Sequence, residues 1–122
     1  MAWLHGALEI LLGLIFLAAG LTKAIGKREA LLPRMAWMAD FSPMVVRLIG
    51  VAEALGGLAL LLAVILGWTA LGLAAAICLS VTMILAIIIH LRRREGREVV
   101  PGAVLLALLV TVIALGAAGT VA

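Results

Sequence analysis

Glu9, Lys23, Glu53 and His90, each able to hydrogen-bond and exchange protons, stand inside long apolar runs of this chain. Glu53 is the sharpest case, because the stretch RLIGVAEALGG (47–57) continues as apolar sequence to Leu66. If a helix starts at Pro43, Glu53 lies about 15 Å along it at 1.5 Å per residue, near the middle of a bilayer. A carboxylate facing lipid at that depth is costly, so it must face other helices, be neutralised or find a cation. Carboxyl, ammonium and imidazole groups in a dry site supply the donors and acceptors that a molecule with carbonyl or hydroxyl oxygens needs. Glu53, Lys23 and His90, with Glu9, are therefore the candidate ligand-binding and proton-relaying residues. Each of three has a plainer reading. Lys23 and His90 stand near helix ends, where basic side chains snorkel to headgroups. Glu9, about 9 Å from Trp3 along a helix, could reach water.

The spacing places these residues on shared faces. His5, Glu9, Gly13, Phe16, Gly20 and Lys23 fall within a stripe of about 80° at 100° per residue. Gly50, Glu53 and Gly57 follow at i, i+3 and i+7, and Gly72, Ala76, Met83, Ala86 and His90 form a third stripe. Small residues let helices approach closely. Gly13, Phe16, Gly20, Gly50, Gly57 and Met83 are thus candidate packing and pocket residues around a polar seam enclosed by three helices.

The elements that position them follow from composition. Of 122 residues, 67% are hydrophobic and 12% charged, and the mean hydropathy is +1.39, which marks an integral membrane protein in contact with lipid. The net charge of +3 forms no soluble basic patch, so nucleic acid is not an expected partner. A single cysteine, Cys78, rules out an internal disulfide and a Cys-x-x-Cys redox or zinc site. No metal site is expected.

Four apolar segments, roughly Ala2–Ile25, Pro43–Leu66, Trp68–Leu91 and Val100–Val121, each approach the ~20 residues that a spanning helix needs. They predict one domain over residues 1–122, an all-α four-helix membrane bundle. The residues before Glu9 contain no Lys or Arg, so the first segment reads as a retained helix rather than a cleaved signal. The short turn at Gly67–Trp68 makes the second and third helices antiparallel neighbours. The fourth segment carries no charge and completes the wall. Lys23, Lys27, Arg28, Arg34 and Arg47 flank the first loop, and Arg92, Arg93, Arg94 and Arg97 the third, so all nine basic residues lie on one side. By the positive-inside rule that side is cytoplasmic and both termini face outward. Trp3 and Trp68 are then expected at the outer interface and Trp37 at the inner one. Ser42 and Pro43 suit an N-cap and first helical residue. The first loop, residues 27–42, is expected to lie on the membrane surface, with Pro33 in the first turn of a short amphipathic helix carrying Met35, Trp37 and Met38. It is either a basic linker or a lid over the cytoplasmic mouth.

The chain resembles the DoxX-like family of small four-helix membrane proteins. The likeness rests on LGLIFLAAGLTKAIG, RLIGVAEALGGLALLL, MILAIIIHLRRRE and a Pro101 opening the fourth helix. It implies the fold and a bacterial inner-membrane setting. It also implies functions of several kinds: a subunit of a thiosulfate:quinone oxidoreductase gives the family its name, members occur in redox and detoxification assemblies, and animal relatives act as assembly chaperones.

Three functions follow as expectations. The first is a pocket of Glu53, Lys23 and His90 that binds a small, mostly apolar, oxygen-bearing molecule, a quinone foremost, with no other cofactor evident. The second is a proton-coupled small multidrug-type transporter with Glu9 as its intramembrane glutamate. The one-sided basic bias opposes it, because dual insertion of such transporters goes with weak bias. The third is a structural or chaperone subunit whose small-residue faces dock another membrane protein, or copies of itself.

Overall fold

The computed structural model describes residues 2–119 and is helical throughout, with no strand among them. Four long helices, α1 (Ala2–Ile25), α3 (Pro43–Leu66), α4 (Thr69–Arg92) and α5 (Gly96–Ala117), are joined by short connections, apart from a first loop that holds α2 (Arg28–Leu31) and a 3-10 turn (Ala36–Asp40). With 24, 24, 24 and 22 residues, each long helix is apolar enough to cross a membrane and reaches about 33–36 Å at 1.5 Å per residue, enough for a ~30 Å hydrocarbon layer. The chain is an integral-membrane-type four-helix bundle. Each long helix packs on its neighbour in sequence, and α5 closes the ring on α1. The described ends of the chain therefore share one end of the bundle. The first loop and the α4–α5 turn share the other, the basic end.

Local chemistry fixes the helix ends. Ser42 accepts a hydrogen bond from the Val45 N–H at 3.3 Å, with Pro43 at the first helical position, as the sequence leads one to expect. Gly67 ends α3 in the left-handed region at φ 64°, where glycine has no side-chain penalty.

The α1–α3 contact is made by backbone. A Cβ added at Gly57 would lie 2.6 Å from the Gly13 carbonyl oxygen, and one at Gly50 2.6 Å from that of Gly20. No side chain fits there, which is why the small-residue stripes of these two helices face each other. The interior beyond them is filled by Leu12, Phe16, Leu60, Leu79, Met83, Leu109 and Val112.

Three expectations are corrected. The first loop is not one amphipathic helix begun by Pro33. Pro33 lies in the turn between α2 and the 3-10 turn, since a residue without an N–H suits a turn as well as a first helical position. This loop folds inward: Leu31, Met38 and Val46 form a second buried cluster, with Met35, Trp37 and Phe41 against it. Next, α5 begins at Gly96, so Pro101 stands inside it. The carbonyl left without a partner, that of Arg97, falls in the exposed first turn of the helix. Finally, this earlier start brings Arg97 and Glu98 into a helix expected to be uncharged. The expected far end of the fourth segment, Val121, lies outside the described residues.

Candidate functional site

At the basic end the helices diverge around a cavity of about 450 Å³. Residues of all four long helices and of the first loop line it, among them Phe16 and Lys23 from α1, Glu53 from α3, Met83 and His90 from α4, Leu105 from α5 and Trp37 from the loop. The arrangement follows from the glycine seam. Gly50 and Gly57 hold α3 against α1 above and below Glu53, and the carboxylate, only 2% exposed, points along that contact toward Lys23.

Lys23 Nζ lies 2.7 Å from Glu53 Oε1 and 3.0 Å from Oε2, so one ammonium holds both carboxylate oxygens. The same Nζ stands 5.9 Å from the centre of the Trp37 ring, within cation–π range. Trp37, expected as an interfacial anchor on a loop read as either linker or lid, is thus half-buried in the cavity wall. Glu53 has found the cation that its depth demands. A lysine snorkelling to headgroups and a glutamate left to itself are both the wrong description, because each side chain spends its charge on the other.

The second polar group of the cavity is built around a turn. Arg94 adopts φ 57°, a left-handed conformation that glycine normally fills. The Glu95 N–H then bonds the His90 carbonyl at 2.9 Å and the Arg94 N–H that of Leu91 at 3.1 Å. This reversal brings the Glu95 carboxylate back onto the imidazole, with Oε1 3.0 Å from His90 Nδ1 and 3.0 Å from Arg93 Nε. Arg93 continues to Asp40 of the 3-10 turn. A string Asp40–Arg93–Glu95–His90 therefore connects the first loop to the cavity. The hydrogen bond from His90, followed by that from Arg93, holds the Glu95 carboxyl below the usual carboxylate range, and Asp40 raises Arg93. With Nδ1 engaged, Nε2 is the ring nitrogen left for a ligand.

The residues singled out by sequence divide into two groups. Glu53, Lys23, His90, Phe16 and Met83 come together around the cavity, while Gly13, Gly20, Gly50 and Gly57 form the helix contact beside it. Glu9 stands apart. It pairs with His5, Nδ1 to Oε1 3.1 Å, fourteen residues or about 21 Å along α1 from Lys23. Both are 4% exposed, so Glu9 is buried rather than reaching water. Gly72 of α4 makes room for its Oε2, and a Cβ added at Gly116 of α5 would lie 3.4 Å from His5 Nε2. Sequence reasoning missed Glu95 and Glu98. Only the charge of the RRREGRE stretch hinted at them. No group of three or more His, Cys, Asp or Glu able to hold a metal occurs among the described residues.

Comparison with curated proteins and with solved structures finds no match. The sequence model of the DoxX-like family matches residues 7–112, a span that includes every residue of the cavity wall. On that match over most of its length, the chain belongs to the DoxX-like family.

Proposed function

We propose that the basic-end cavity binds a small, mostly apolar molecule carrying oxygen, a quinone foremost, and that the protein serves a membrane redox or detoxification system. One observation carries this reading: a buried ion pair opens onto a cavity of about 450 Å³ instead of being packed over. A pair kept only for folding needs no open space beside it, whereas apolar space with convergent polar groups is what a small-molecule site requires. Here apolar walls from Phe16, Met83 and Leu105 flank two separate hydrogen-bonding groups. Such a site suits a flat ring with an oxygen at each end. Lys23 Nζ, with two of its three N–H groups on Glu53, has one left to donate to a carbonyl. Glu53 then positions the ammonium rather than passing protons itself. His90, its Nδ1 fixed by Glu95, presents Nε2 as the proton acceptor or donor for the other oxygen. With the nine basic residues at its end of the bundle, the cavity would face the cytoplasm by the positive-inside rule, in keeping with a bacterial inner-membrane setting.

The test uses the three tryptophans. With Trp3 and Trp68 replaced by Phe, Trp37 becomes the sole reporter, and a short-chain benzoquinone titrated into protein in nanodiscs should quench it saturably. Glu53→Gln and His90→Gln should each weaken binding about tenfold, the equivalent of one charge-assisted hydrogen bond. Quenching that rises linearly with quinone and ignores both substitutions would refute the reading.

A further inference from the structure

A second cleft, of about 40 Å³, lies where α1 ends and α3 begins. Lys23, Arg28 and Arg47 line it with the apolar Met38, Pro43 and Val46, and no carboxylate does. Lys23 is committed to Glu53, which leaves the two arginines. Arg28 is held rigidly, since its Nη2 donates to the Met38 carbonyl at 2.9 Å and to the Phe41 carbonyl at 3.1 Å. Its Nη1 is shut away from water and has no partner among the described residues. A buried charged donor without an acceptor is expensive, so Arg28 gains from an anion drawn in against Nη1. Arg47 is exposed and makes no hydrogen bond or ion pair among the described residues.

Size and level identify the missing group. At ~10–15 Å³ for each water-sized occupant, the cleft of about 40 Å³ has room for about three, enough to receive the two free oxygens of a lipid phosphodiester. A guanidinium fork is the side chain best shaped to receive it. The first turn of α3 borders the cleft through Pro43 and Val46, so its positive end adds to the attraction. Because α1 stops at Ile25 and α3 starts at Pro43, the cleft stands where spanning helices leave the apolar layer, the level of lipid phosphates.

We propose that this cleft binds the phosphate of a membrane lipid headgroup between Arg28 and Arg47, with the glycerol against Met38, Pro43 and Val46. The apolar lining favours a lipid over free phosphate. The proposal is independent of what occupies the larger cavity.

Delipidated protein in mild detergent, titrated with phosphatidylglycerol and read by native mass spectrometry, tests it. Wild type should retain one lipid tightly. Arg47→Gln should weaken that binding about tenfold, as expected for one lost charge-assisted contact. Arg28→Lys keeps the charge but loses the fork, and should weaken it too. Arg92→Gln removes the same charge from another exposed position at the basic end and should change nothing. Equal weakening by Arg47→Gln and Arg92→Gln would overturn the site in favour of diffuse attraction, as would wild-type protein that binds oleate as well as phosphatidylglycerol. Displacement of the lipid by equimolar inorganic phosphate would overturn the lipid as the source while upholding phosphate recognition.

Discussion

Two buried carboxylates on the inner faces of this bundle are satisfied in opposite ways. Near the basic end, Glu53 is answered by a lysine from another helix, and the pair borders a cavity. Toward the other end, Glu9 is answered by His5 one turn away on its own helix, with no Lys or Arg paired to it among the described residues. Glu9 Oε2 and His5 Nε2 are left without partners among the described residues. The difference separates two uses of a polar group in lipid. A cross-helix pair fixes how two helices meet and can present what remains of its hydrogen bonding to a ligand. A same-helix pair links nothing, and its neighbours Gly72 and Gly116 only make room.

The largest expected effect breaks the first pair. Lys23→Met leaves a 2% exposed carboxylate without a counter-charge and should cost ~3 kcal/mol of stability in detergent. Adding Glu53→Leu should recover most of that loss while ligand binding stays absent. If the double variant is as unstable as the single one, the pair is not a unit. At the Glu9–His5 pair the sharper probe is steric. Gly72→Ala would drive a methyl into Glu9 Oε2 and should cost ~1–3 kcal/mol, a cost that Glu9→Ala in the same chain should relieve. Glu9→Gln alone should cost less than ~1 kcal/mol, because it strands no cation. Thermal unfolding in one detergent compares all of these.

Smaller effects sharpen the contrast at the basic end. Arg94 occupies a left-handed position at φ 57°, so Arg94→Gly should stabilise the α4–α5 turn by up to ~1 kcal/mol. No gain would mean that the Arg94 side chain offsets the strain. Acid should release the string from Asp40 to His90. Glu95 is held below its ordinary range by His90 and then Arg93, so its contribution is complete above the unfolded value of about 4.3 and is lost as the pH falls through the lowered one. Fluorescence of a sole Trp37 should therefore change below about pH 4. No change on acidification would mean that the charge of Glu95 does not hold the string together.

How much of this was legible varies with the range of the forces involved. Hydropathy and length gave the four helices, and Ser42–Pro43 and Gly67 gave two of their ends, because these signals are local. The glycine stripes and the inward faces of Lys23 and Glu53 were legible too, since helical periodicity carries them. The return of Glu95 to His90 was not, because it depends on an arginine adopting the backbone of a glycine. Nor was the inward fold of residues 27–42, where the partners of Leu31 and Met38 arrive from α3. Glu9 and His5 shared a legible stripe, yet their burial is decided by glycines of α4 and α5 whose depth no spacing on α1 reveals. Pro101 misled because a rule for first helical positions was applied to a helix that starts five residues earlier.

The backbone contacts of Gly13 with Gly57 and of Gly20 with Gly50 also bear on motion. Two helices touching through main-chain atoms cannot rotate or slide past one another without collision, and Lys23–Glu53 bolts the same interface from the side. Half of the cavity is consequently a fixed jaw. Any widening to admit a bulky guest falls to the opposite half, where Ala86 and His90 of α4, Pro101 and Gly102 of α5 and the first loop form the wall. Breathing of the bundle is thus hinged on the α4–α5 side, and spin labels there should report changes of distance that labels across α1 and α3 do not.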